Sequence, residues 1–343
     1  MMKIRLFVSI GLGFAMLAGF PARAENQPAL PPPDFPALAA SIRGAFDEHL
    51  FDPVLIESGQ CDAFFRRLDD IAALAVDENS FEREFKTAAA LLPFSHVELK
   101  RSPVELAQLL TGLDQMRVGP KAVQFSISDG IATLRVRTMM GLDTIDAIEA
   151  AYAGIAQQEP RALIVDLRGN SGGAFAIIPL IEHLISTPVD AGWFFGRAWR
   201  NQHREPPTVS DALAVQPWTG KSLLEFWQAV TSGPVVRIQF RPRAVTYAGP
   251  VFVLIDGQSA SATEIAIAAL KTAGRVTVIG EPTAGRVLSQ LPQDVGQGYK
   301  LSLPVGDYIS ASLGRLEGRG IAPDVTCPSR EAPKIAIDLA TKS

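Results

Sequence analysis

Residues Gly249–Glu281 read GPVFVLIDGQSASATEIAIAALKTAGRVTVIGE. Val251 to Ile255 is an unbroken apolar run, the pattern of a strand covered on both faces. Asp256-Gly257 is a turn signal. The alanine-rich segment that follows carries apolar residues at helical spacing and stops at Gly274. Val276 to Gly280 is a second short apolar strand. Strand, helix, strand with continuous apolar strands predicts an α/β layered core.

The pattern extends upstream. VQFSISDGIATLRVRTM (Val123–Met139) predicts two strands with a turn at Asp129-Gly130. TIDAIEAAYAGIAQQ (Thr144–Gln158) is helical, and ALIVDLRGN (Ala162–Asn170) is a strand with a polar, glycine-rich end. FAIIPLIEHLI (Phe175–Ile185) is the helix after it. Residues 189–247 are rich in Trp, Pro and Arg with little periodicity, and read as a long insertion at one end of the core. Between about Ala37 and Leu92, apolar residues recur at three-and-four spacing and predict a small helical region, with another short helix in SPVELAQLLTGL (Ser102–Leu113).

The chain begins MMKIRLFVSIGLGFAMLAGFPARA: two basic residues, an apolar run from Leu6 to Phe20, then Ala22-Arg23-Ala24. That is the form of a secretory leader, with cleavage expected after Ala24. The apolar run falls short of the roughly 20 residues of a membrane span. The expected organisation is therefore a leader at 1–24, a helical region at 25–120, and an α/β unit at 121–343. An exported chain is expected in the periplasm or outside the cell, without stable membrane insertion after cleavage. Export would make Cys61 and Cys327 candidates for a disulfide, with two buried thiols as the alternative. The leader holds three basic residues and no acidic one, so the mature chain carries 29 basic against 36 acidic residues. A net charge of −7 argues against nucleic acid or an anionic membrane as partner. Four isolated histidines and two distant cysteines give no metal-ligand spacing, and no organic cofactor is implied.

Two stretches invite a chemical reading. In GQSASATE (Gly257–Glu264) a serine at a strand-to-helix turn exposes its hydroxyl, and the helix N-terminus offers unpaired N–H groups to developing negative charge. Ser261-x-x-Glu264 equally fits a capping box, in which Ser261 only caps its helix. DLRGNSGG (Asp166–Gly173) brings paired glycines after a strand, which let backbone approach another group. Taken alone it is any tight turn.

Together, DLRGNSGG, the Gly249–Arg286 stretch and LEGRGIAPDV (Leu316–Val325), in that order, resemble the tail-specific, or C-terminal processing, and tricorn-type serine peptidases. The resemblance covers roughly Ile131 to Val325. It implies a crotonase-like α/β fold of ββα units and Ser261 as nucleophile. It also implies an oxyanion hole from the N–H groups of Ala262 and of a glycine in the GNSGG turn, taken as Gly172, with Gly173 a substrate contact. Many members carry a lysine base in G-E-x-T-x-G-K. This chain reads GEPTAGR, with Arg286 in that place. A guanidinium stays protonated at any ordinary pH and cannot be a base. The tricorn branch implies another base: Phe94-Ser95-His96 supplies a Ser-His pair and LEGRGIAPD supplies Glu317. His96 would take the proton, Glu317 would hold its second ring nitrogen, and Ser95 would hydrogen-bond Glu317 or orient the site. Arg286 remains either a turn residue or a contact for a substrate carboxylate or carbonyl. Many relatives insert a PDZ domain before the core; residues 97–122 are too few for one. Trp193, Arg197, Trp199, Arg200 and Trp218 are candidates for the wall of a substrate cleft, or for packing over the core. The expected activity is hydrolysis of peptide bonds in a peptide or protein substrate. A peptidase fold that only binds, and an esterase or amidase acting on a small substrate, are the alternatives.

Overall fold

The computed structural model describes residues 30–342, so the expected leader lies outside the described residues. From residue 30 onward the chain opens with helices α1 (Phe35–His49), α2 (Val54–Glu57), α3 (Asp62–Leu74) and α4 (Glu78–Ala89). Local chemistry sets two of the starts. Asp34 accepts the Ala37 N–H at the head of α1, and Asp77 and Ser80 exchange hydrogen bonds at the head of α4. Phe46, Phe64, Phe81 and Phe85 fill the space between these helices.

This helical region is not an independent unit. Its core takes in Leu288, Tyr299, Leu301 and Leu303 from far down the chain. Strand β1 (Glu98–Arg101) pairs antiparallel with β10 (Tyr299–Ser310), Glu98 opposite Ser302. The boundary expected at residue 120 therefore falls inside one packed body.

After α5 (Leu106–Leu113) comes the hairpin of β2 (Val123–Ser128) and β3 (Ile131–Val136). Its turn, Asp129-Gly130, has φ of +51° and +73°, the two positive values that a tight hairpin needs. The layered core then unfolds in order: α6 (Leu142–Gln158), β4 (Ala162–Asp166), α7 (Ile177–Glu182), β5 (Val189–Gly196), α8 (Arg197–Arg200), α9 (Val209–Leu213), α10 (Leu223–Ser232), β6 (Val236–Phe240), β7 (Val251–Ile255), α11 (Ala262–Thr272) and β8 (Thr277–Gly280). Strands β9 (Ser289–Asp294), β10 and β11 (Gly314–Arg315) follow, and β12 (Val325–Thr326) and α12 (Ala332–Lys342) close the described chain.

One sheet runs β12-β8-β7-β4-β3-β2 and is parallel except for the β2–β3 hairpin. Every residue of β4 and β7 is buried, which is why both read as continuous apolar runs. Alternate residues serve different cores: Val251, Val253 and Ile255 face α11, while Phe252 and Leu254 face the alanines of α12. The second sheet is antiparallel, β1-β10-β5-β6, with β9 and β11 also on β10. Helix α11 packs on β5 of that sheet and is buried without a break from Ala262 to Leu270. Its alanines allow that close approach.

Residues 189–247 are not an appended insertion: they supply β5 and β6, and β5 pairs with both β10 and β6. Their periodicity was hidden because β5 is buried on both faces and its register shifts between Asp190 and Gly192. A Cβ at Gly192 would meet the Ile309 carbonyl oxygen at 2.1 Å, so this strand pairing requires glycine. Cys61 and Cys327 are both free, correcting the candidate bridge. Cys61 packs among the N-terminal helices and Cys327 against α12, in separate cores. We therefore expect the chain, denatured without reductant, to take up two iodoacetamide adducts by mass spectrometry; an intramolecular bridge would block both.

Candidate active site

Three loops leave the carboxyl ends of adjacent parallel strands β4, β7 and β8, where ligands gather in sheets of this kind. They are stitched to one another. The Ser259 hydroxyl donates to the Leu167 carbonyl (2.9 Å), the Ala260 N–H to the Asn170 carbonyl (3.0 Å), and the Ala284 N–H to the Ser259 carbonyl (2.9 Å). Asn170 is fully buried: its Nδ2 donates to the Val136 carbonyl (3.0 Å) and its Oδ1 accepts the Gly172 N–H (2.9 Å). A carboxamide can fill both roles at once, a use that DLRGNSGG does not announce.

Ser261 stands at the head of α11 with φ +56°, a conformation that costs a non-glycine residue and persists only where its surroundings impose it. What imposes it is visible. Its N–H donates to the Arg286 carbonyl (2.7 Å) and to Glu264 Oε2 (3.1 Å). The fully buried Glu264 carboxylate also accepts the Thr283 hydroxyl (2.5 Å) and the N–H groups of Gly285 (2.9 Å) and Arg286 (2.9 Å). Burial pushes this carboxyl up and the four donors pull it back. The capping-box spacing marked Glu264 as a helix cap, and it does accept the Ser261 N–H; beyond that it is the clasp between the Ser261 turn and the 283–286 turn.

A second buried carboxylate does the same for the Ser-His pair. Glu317 Oε1 accepts the Ser95 N–H (2.9 Å), and its Oε2 accepts the Val287 N–H (2.8 Å). The Ser95 hydroxyl lies 2.5 Å from His96 Nδ1. The expected order of contacts is thus altered: Ser95, not Glu317, meets the ring. His96 is buried and has φ +67°. Burial, assisted by the Arg286 guanidinium, pushes its imidazole down to about 3.

His96, Ser261, Ala262 and Gly173 all line one cavity of about 340 Å³. No direct hydrogen bond joins His96 to the Ser261 hydroxyl among the described residues. A Cβ on Gly172 would lie 2.7 Å from Ser261 Cβ, so this glycine is what lets the loop press against the serine. Its N–H, however, is committed to Asn170. The N–H groups of Ala262 and Gly173 have no hydrogen-bond partner among the described residues. Of the Trp/Arg set, Trp218 lines the cavity. Trp193 is buried core, Arg197 donates to the Leu50 carbonyl, Arg200 pairs with Asp52, and Trp199 donates to the Glu205 carbonyl. Arg286 acts through its backbone and its charge and is not part of the cavity wall.

Two outcomes follow. A buried donor left without an acceptor costs about 1–3 kcal/mol, and Glu264→Ala strands three of them, since the Ser261 N–H keeps the Arg286 carbonyl. We expect it to lose at least several kcal/mol in urea unfolding, unlike Glu225→Ala on the exposed side of α10. For His96 the sign is fixed by its depressed pKa. Below the ordinary histidine value the unfolded chain takes up a proton that the folded chain refuses. Stability then falls by about 1.4 kcal/mol per pH unit between roughly pH 6 and the folded pKa. Imidazole NMR, assigned with His96→Gln, should show His96 neutral down to pH 5, and the acid loss of stability should be shallower in that variant.

Comparison with known proteins fits this layout. The chain is 35% identical over 195 residues to the carboxyl-terminal-processing peptidase 3 of Arabidopsis thaliana, an alignment covering 57% of this chain and 31% of that protein. It is 27% identical over 209 residues to the carboxy-terminal-processing protease of Bartonella bacilliformis, covering 60% and 40%. The chain thus spans less than half the length of either relative. The solved structure of the photosystem II D1 C-terminal processing protease superposes with a TM-score of 0.50 at 15% identity, over 86% of this chain and 93% of that one, a likeness of fold. The sequence profile of peptidase family S41 matches residues 130–327, from the β2–β3 turn through β12 and on to Cys327, and the chain belongs to that family.

Proposed function

We propose that this chain is an exported serine-type peptidase with a crotonase-like core, Ser261 its nucleophile and His96 its general base. The observation that carries the reading is one cavity lined by Ser261, His96 and the N–H-bearing residues Ala262 and Gly173. Family membership and similarity to carboxy-terminal-processing proteases support it.

The geometry supports the following sequence of events. With the proton on Nδ1 donated to the Ser95 hydroxyl oxygen, Nε2 presents its lone pair. His96 is neutral across the physiological range, so that lone pair is always available. Ser261 Oγ attacks a peptide carbonyl carbon and its proton passes to Nε2. The carbonyl oxygen becomes an oxyanion beside the Ala262 N–H at the positive end of α11 and the Gly173 N–H. In this reading Gly172 supplies close approach rather than a donor. The imidazolium returns its proton to the leaving amine, and water then cleaves the acyl-serine by the same route. Glu317 positions the pair by holding the Ser95 backbone, and its charge lies behind the imidazolium when it forms. Arg286 stands where many relatives place a lysine base and opposes charge on His96.

The missing hydrogen bond between Ser261 and His96 favours one second reading, a peptide-binding protein that does no chemistry. Apo sites often close this contact only around substrate. Incubating a mixed peptide library with the full chain, followed by mass spectrometry, separates the two. We expect cleavage that Ser261→Ala abolishes and His96→Ala lowers by roughly 10²–10⁴-fold. Cleavage untouched by His96→Ala would remove His96 as base. An intact library from a folded chain would favour the binding protein.

A further inference from the structure

The cavity beside Ser261 is larger than the chemistry needs. Its far wall is made by three aromatic rings, none of them fully buried: Phe175 stacks on Trp218 (centroids 5.8 Å, 15° between planes), and Trp218 meets Phe226 edge-on (5.3 Å). All three line the cavity together with Ile178, Phe194 and Ile238. A volume of about 340 Å³ lies at the small end of ligand pockets. Partly exposed aromatic rings gathered in a concavity mark a place where apolar matter docks. The same cavity wall holds Gln290 on β9, 6% exposed, with neither its Oε1 nor its Nε2 in a hydrogen bond among the described residues. Buried carboxamides are ordinarily paired. A donor and an acceptor on one side chain match the C=O and N–H of one peptide group.

We propose that this cavity is a side-chain subsite for one large apolar residue, aromatic or branched aliphatic, next to the bond that Ser261 attacks. Trp218 forms its floor, and Gln290 receives an adjoining peptide group. The assignment rests on the reading of Ser261 as nucleophile, because that is what makes the occupant a polypeptide. It puts the selectivity in residues 189–247 and in β9, outside the motifs that carry the chemistry. A pocket of this kind separates large apolar side chains from small ones by filling.

The test uses the full chain with Ser261→Ala and fluorescein-labelled Ala-Ala-Xaa-Ala-Ala-Ala, Xaa being Phe, Leu or Ala, with binding read by anisotropy. Phe and Leu peptides should bind on the order of tenfold tighter than Ala. Trp218→Ala should flatten that ranking, and Trp218→Phe, which keeps a ring, should preserve most of it. Gln290→Leu should weaken every peptide by a similar factor and leave the ranking intact. Equal binding of all three peptides, or a Trp218→Ala variant that weakens all equally, overturns the subsite. A Gln290→Leu variant that changes nothing overturns the part given to Gln290. Digestion of the same peptides by the wild-type chain keeps the two readings apart. Phe and Leu peptides that bind as expected yet stay uncut would sink the peptidase reading and leave the subsite standing. Cleavage indifferent to Xaa would do the reverse.

Discussion

The site depends on a carboxylate that does no chemistry. Glu264 gathers four donors from two turns, one being the N–H of Ser261 itself. Together with the Arg286 carbonyl, that clasp holds Ser261 at positive φ, where a non-glycine residue has little reason to stay. The turn that follows β8 is fixed to the head of α11 by the same side chain. A charge buried at that depth is tolerable only because every donor is aimed at it before folding ends.

Glu317 repeats the device on the other side of the cavity, joining the segment before β1 to the segment before β9. The two carboxylates are linked through consecutive residues: Glu264 takes the Arg286 N–H and Glu317 takes the Val287 N–H. Residues 286 and 287 are therefore the seam where the serine-bearing and histidine-bearing halves meet. Arg286 takes part in this seam through its backbone, its N–H going to Glu264 and its carbonyl accepting the Ser261 N–H.

The parallel sheet was legible because β4 and β7 are buried on both faces and interrupted by glycine-rich ends. The turn and helix around Ser261 were legible but fitted a helix cap equally well, and Ser261, Ser95, His96 and Glu317 were singled out as a set only by a family resemblance. Residues 189–247 were not legible as sheet, because β5 has no alternation and its bulge breaks register. Nor was the full role of Glu264: a capping-box spacing describes contacts within one helix, whereas three of its four donors come from Thr283, Gly285 and Arg286, beyond that helix. On the reading proposed above, Gly173 takes the donor role expected of Gly172 because Asn170 Oδ1 accepts the Gly172 N–H, a contact no one-dimensional pattern encodes.

Ser95 and Glu317 meet across 222 residues. On the reading proposed above, the order of synthesis then becomes a safeguard. A nascent chain that has made β7, α11, β8 and the 283–286 turn can already hold Ser261 at its turn. Its base stays unanchored until residue 317 has emerged, folded back and let β10 capture β1. Contacts so distant in sequence form late and slowly. A hydrolase assembled this way carries an incomplete site through most of its own translation, when its unfolded segments would be the nearest substrate.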